Sequence, residues 1–113
     1  MKVTKGDIVY LKKEAYQKEI GNIQGGMRPL LVVSNDVGNH FGNICLVVPL
    51  TNKLKKCGLP THTVINGITS LSVALCEQIF TVNQDDVCRI ARHATPGEMK
   101  NVDKALKNSL GIG

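Results

Sequence analysis

Tryptophan is absent from this chain of 113 residues, and the other aromatics are only two tyrosines and two phenylalanines. A module that binds RNA by stacking successive bases on aromatic rings needs more rings than that. Simple RNA binding without chemistry is therefore disfavoured. Long apolar runs are missing too. None approaches the ~20 residues of a membrane-spanning helix, so no membrane span is expected. The opening residues lack the apolar stretch of a secretory leader, because Lys2 and Lys5 are followed by Gly6 and Asp7. The expected location is the cytoplasm. The four cysteines, at 45, 57, 76 and 88, form no C-x-x-C pair. Structural zinc ligands usually come in such close pairs, so no metal site is expected. Each cysteine sits in or beside an apolar segment, which predicts buried, reduced thiols.

Hydrophobic residues make up 42% of the chain and charged ones 20%, enough to build one cored domain over residues 1–113. The net charge is +5, and all of the excess lies in the first half. Residues 1–57 hold nine Lys and Arg against four Asp and Glu, whereas residues 58–113 hold five of each. A basic half favours a polyanionic partner, with nucleic acid first and an anionic membrane surface second.

Gly6 to Leu11 reads as a first strand, and the polar residues 12–26 as a long loop. Pro29 to Ser34 is apolar on both faces, which predicts a central strand. Residues 35–43 are dense in turn formers and read as a loop. Ile44 to Leu50 predicts a third strand, and residues 51–60 a basic loop. Thr61 to Ile65 alternates as a strand and meets the turn signal Asn66-Gly67. Ser72 to Val82 reads as one strand, with Glu77 oddly on its apolar face. Asn83 to Asp86 suits a short capped turn, and Val87 to His93 a last strand. A C-terminal helix follows. Thr95 caps it, Pro96 opens it, Glu98 completes a capping box and Gly111 stops it. Val102, Leu106 and Leu110 would face the sheet. Several short strands and one terminal helix predict a small, mostly antiparallel β-barrel. The loops 12–26, 35–43 and 51–60 would then gather at one rim.

Arg28 stands at the mouth of the second strand, between Gly25-Gly26 and Pro29. A fixed guanidinium there suits a phosphate better than a mobile lysine does. Gln24, Asn39, His40, Lys53 and Gln78 are the candidate substrate-binding residues. Gln78 offers a donor and an acceptor to a base edge, and Lys53 a cation to phosphates. His40 and His62 titrate in the range useful for proton transfer. Phe41 has the ring to stack on a base or to fill the core.

The chain resembles the MazF/PemK family of toxin endoribonucleases, most of all those of Gram-positive bacteria. The resemblance rests on K-G-D-I-V-Y at 5–10, Q-G-G-M-R-P at 24–29 and V-V-S-N-D-V-G-N at 32–39. It continues through P-L-T at 49–51, L-P-T-H at 59–62, L-C-E-Q-I at 75–79 and L-K-N-S-L-G at 106–111. It implies a mainly β fold, an SH3-like small barrel with a C-terminal helix, working as a homodimer. It also implies sequence-specific cleavage of single-stranded RNA without metal or cofactor, leaving 2′,3′-cyclic phosphate and 5′-hydroxyl ends. Arg28 and Thr51 take the positions of the family's catalytic arginine and threonine. The implied protein partner is a MazE-type antitoxin. Related barrel toxins bind DNA gyrase without cutting RNA, and that is the alternative reading. The G-G-x-R-P and L-P-T-H fragments favour the nuclease branch.

Overall fold

Strand β1 (Asp7–Leu11) illustrates how this small fold makes two cores from one sheet. The computed structural model describes residues 1–20, 28–54 and 58–113, with residues 17–20 as backbone. Side chains alternate across a strand. Val9 therefore enters one core with Leu30, Val32, Val47 and Val82. Ile8 enters the other, with Leu31, Val48, Leu50 and Ile65. Strand β2 (Leu30–Val32) is buried at all three positions, as its two-sided apolar run predicts. It pairs antiparallel with β1 and with β3 (Ile44–Thr51).

β3 is the spine of the sheet. On one side it meets β2. On the other it meets two strands in succession. Its first half pairs with β6 (Phe80–Asn83), from Ile44 opposite Asn83 to Val47 opposite Phe80. Its last residues pair with β5 (Leu71–Leu75), Leu50 opposite Ala74 and Thr51 opposite Val73. The single strand expected over Ser72 to Val82 is thus two strands. The break falls where Glu77 and Gln78 interrupt the apolar pattern, and the Gln78 N–H closes a turn onto the Leu75 carbonyl at 3.0 Å. Glu77 is exposed on that turn and not on an apolar face.

The sheet is mainly antiparallel and barrel-like, in the order β4 (His62–Asn66), β5, β3, β2, β1, β7 (Val87–His93), with β6 beside β3. Two register shifts bend β7 around β1. Side chains stitch the end of β4 to β7. Arg92 on β7 donates to the Asn66 carbonyl at 2.7 Å and to the Glu98 carboxylate at 2.9 Å. Glu98 in turn accepts the Asn66 N–H at 2.6 Å. Glu98 belongs to the C-terminal helix Pro96–Leu110, which has the expected Thr95 cap, capping box and left-handed Gly111. Val102 and Ala105 bury its inner face, and Leu106 packs beside them. Leu110, expected on the sheet, is exposed, because the helix has run past the core by its last turn.

Two expected loops contain helices. Lys13–Ile20 is helical and lays Ala15 and Tyr16 on the first core. Asp36–Phe41 is a short helix capped by Asn35, whose side chain accepts the Gly38 N–H at 2.7 Å. Number these helices α1 and α2, and the C-terminal one α3. Asn83 caps a 3-10 turn at Gln84–Asp86, as expected. Cys45 and Cys76 are buried thiols, which burial pushes up to about 11 and about 12, Cys76 with added repulsion from Glu77. Cys88 departs from the expectation and is exposed on β7. Cys57 lies outside the described residues.

Candidate active site

The end of β3 opens onto a cleft. The Leu50 N–H donates to the Pro29 carbonyl at 3.2 Å, which extends the β2–β3 ladder past Leu30 opposite Pro49. One more step of that register sets Arg28 opposite Thr51. The cleft has a volume of about 240 Å³ and is lined by Tyr10, Arg28, Pro29, Leu50, Asn52 and Ser72, with residues 68–70 of the β4–β5 turn. None of these is acidic. Arg28 brings a guanidinium to the cleft, and among the described residues no carboxylate forms an ion pair with it. The cleft is therefore cationic, with hydroxyl and amide groups on its far wall.

The turn that forms this wall needs its glycine. Gly67 donates its N–H to the Ser70 carbonyl at 2.8 Å, and a Cβ at Gly67 would sit 2.6 Å from that same oxygen. Tyr10, on the opposite wall, is held by Arg89 of the neighbouring strand. The guanidinium carbon lies 4.7 Å from the ring centroid, within the range of a cation–π contact.

Thr51 is 5% exposed and is not among the described residues that line the cleft. Leu50 and Asn52 line the cleft on either side of it. Its hydroxyl oxygen accepts the Lys53 N–H at 3.3 Å. Lys53 itself is exposed just beyond the strand.

The remaining expected site residues scatter. Gln24 lies outside the described residues. Gln78 is exposed on the β5–β6 turn, alongside the middle of β3. His40 is exposed on α2, edge-on to Phe41 at 4.7 Å. Phe41 itself is 81% exposed, which removes it from the core. Because α2 leads into the start of β3, His40 and Thr51 stand at opposite ends of an eight-residue strand. At about 3.3 Å per residue they are roughly 20 Å apart along it. The expected gathering of the 35–43 and 51–60 segments at one rim is therefore corrected: β3 separates them. Asn39 lies on α2 and is buried. It is 1% exposed, and its amide donates to the Ser34 carbonyl at 2.9 Å while its oxygen accepts the Ser34 hydroxyl at 2.5 Å. Its side chain is thus engaged with Ser34 where α2 begins.

The L-P-T-H and L-C-E-Q-I segments meet in space. Glu77 accepts the Thr61 hydroxyl at 2.7 Å and lies 2.6 Å from His62 Nε2. His62 thus belongs to a local cluster and does not converge with His40. Tyr10, Asn52 and the 68–70 turn were not singled out by sequence. Only the Asn66-Gly67 signal marked that turn, and it said nothing of a cleft.

A small barrel-like sheet, with a cleft at the end of its central strand whose described lining carries Arg28 and no acid, defines a class of compact β proteins. The family is decided by sequence: the model of the PemK-like, MazF-like toxins of type II toxin–antitoxin systems matches residues 4–110, and the chain belongs to that family. It is 35% identical to endoribonuclease EndoA of Bacillus subtilis, over 99% of this chain and 97% of that protein. Its fold is similar to an endoribonuclease solved with its cognate antitoxin from a mycobacterial species. That match has a TM-score of 0.78 at 20% identity and covers 98% of this chain and 97% of that one. MazF from Deinococcus radiodurans superposes with a TM-score of 0.76 at 21% identity, covering 99% of each chain.

Proposed function

We propose that this chain is the toxin of a toxin–antitoxin pair and acts as a metal-independent endoribonuclease on single-stranded RNA. The observation that carries the reading is Arg28, a guanidinium that no described carboxylate pairs, in a cleft whose described lining holds no acid and in register with Thr51. Similarity to the Bacillus subtilis endoribonuclease supports it.

The reaction is a transesterification. A ribose 2′-oxygen attacks the adjacent phosphorus, the bond to the 5′-oxygen breaks, and that oxygen leaves with a proton. The products are a 2′,3′-cyclic phosphate and a 5′-hydroxyl. DNA lacks the attacking group, so the substrate itself sets RNA over DNA. Charge grows on the non-bridging oxygens, where the fork of Arg28 donates two hydrogen bonds in fixed geometry. The Thr51 hydroxyl accepts from Lys53 and keeps its own proton to donate towards the same phosphate. Lys53 holds flanking phosphates, while Gln24 and Gln78 read bases and His40 contacts the RNA farther along. The chain works as a cytoplasmic homodimer. Exposed Phe41, Ile44 and Leu46 offer an apolar patch that a second copy would cover. A MazE-type antitoxin blocks the cleft.

The test is end mapping on a long unstructured RNA in EDTA. Defined cuts with cyclic phosphate ends support the reading. Intact RNA from folded protein, especially with inhibition of DNA gyrase, refutes it.

A further inference from the structure

Arg28 is fixed from behind by a residue on another element. The Tyr16 hydroxyl on α1 donates to the Arg28 carbonyl at 2.6 Å. The same hydroxyl accepts the Leu11 N–H, at the end of β1, at 3.0 Å. One oxygen thus ties the last residue of β1 to the residue that enters β2. Tyr16 is 2% exposed and packs in the core with Leu11 and Leu30, so its ring has little freedom to carry the hydroxyl elsewhere. Burial, partly offset by the Leu11 hydrogen bond, pushes the hydroxyl up to about 12. It stays protonated, and a donor, through any working pH.

The backbone at Arg28 needs such a tie. The regular strand begins only at Leu30, and Pro29 has no N–H to give to a ladder. The Leu50–Pro29 bond secures the residue after Arg28, and the Tyr16 hydroxyl secures Arg28 itself. We infer that Tyr16 is a positioning residue for Arg28, setting where its guanidinium meets the phosphate. The inference rests on the ribonuclease reading. Tyr16 touches no substrate. Its effect belongs to the bond-making step and not to RNA affinity, because misplacement of a catalytic group by about 1 Å costs up to a hundredfold in rate.

The experiment compares wild type, Tyr16→Phe and Arg28→Ala. Tyr16→Phe keeps the ring and removes only the hydroxyl. Active sites are titrated with a 2′-deoxy, non-cleavable version of the target oligonucleotide, so kcat is counted per folded, binding-competent molecule. Partial unfolding then cannot mimic the result. Tyr16→Phe is expected to lower kcat about ten- to hundredfold with KM changed less than about threefold. Wild-type kcat in Tyr16→Phe, beside a dead Arg28→Ala, overturns the positioning role and leaves the ribonuclease reading standing. A loss confined to KM also overturns it. Full activity in Arg28→Ala overturns the reading beneath both.

Discussion

The two ends of β3 are built on opposite terms. At the Ile44 end, polar groups are buried and satisfied by one another. Gln84 is 3% exposed. Its amide donates to the carbonyls of Asn39, Gly42 and Ile44 at 2.8, 3.3 and 3.1 Å, and its oxygen accepts the Val3 N–H at 3.1 Å. One side chain locks the N-terminus, α2 and the head of β3 together. At the Thr51 end, Arg28, Asn52 and Lys53 are open or half open, and among the described residues no carboxylate lines the cleft. Satisfied networks hold a fold, whereas uncompensated charge at a cleft is available to a ligand. The first end is scaffold and the second is where chemistry is expected.

The largest effect that would break this contrast is on rate. Arg28→Ala should lower kcat for RNA cleavage by on the order of 10²–10³, the loss typical of one oxyanion donor, while leaving the melting temperature nearly unchanged. Next comes Gln84→Ala, with the opposite signature. It removes one donor from three carbonyls, two of which Lys2 also reaches, and takes the acceptor from the buried Val3 N–H, and should cost about 2–3 kcal/mol in urea unfolding. Cleavage per folded molecule should be unaffected.

A smaller effect sits at the stitch between β4 and β7. Burial opposes the charge on Glu98, but the backbone N–H groups of Thr95 and Asn66, with Arg92, outweigh it and hold the carboxyl down to about 2. A carboxyl lowered on folding stabilises fully above its unfolded value and loses that contribution as pH falls towards the folded one. Glu98→Gln should therefore cost about 1 kcal/mol near neutral pH, after allowing for solvent screening. The gap to wild type should close as pH drops from about 4 towards 2. Urea midpoints measured across that range check it. The smallest change is Lys53→Ala. It should weaken RNA binding several-fold at low salt and reduce the slope of log K against log salt by about one. An unchanged slope would remove Lys53 from the phosphate contacts.

The same contrast governs what could be read from sequence. The β-strands and α3 were legible because their burial is periodic and their caps are local. Thr95, Pro96, Glu98 and Gly111 lie next to the helix they bound. Helix α1 was not legible, because only Ala15 and Tyr16 of its first turns are buried and its polar residues masked a run of good helix formers. Helix α2 hid among turn residues, since Asn35 and Asp36 serve a turn and a helix cap equally well. The break in the Ser72 to Val82 run was signalled by Glu77, whose charge on an apolar face was the anomaly. Arg28 was legible by its setting between glycines and proline. The burial of Asn39 was not legible, because an exposed and a buried asparagine look alike until the Ser34 contact is seen. Tyr10 and the 68–70 turn reach the cleft only through strand pairing, which no local pattern encodes.

The central claim is that the chemistry lives at the Thr51 end of β3 and depends on Arg28. The most direct test is single-turnover cleavage of a defined RNA in EDTA by wild type, Arg28→Ala and Gln84→Ala, each with its melting curve. The account predicts a double dissociation: Arg28→Ala stays folded and stops cutting, while Gln84→Ala melts early yet cuts normally per folded molecule. Cleavage by Arg28→Ala at the wild-type rate and at the wild-type sites would contradict it.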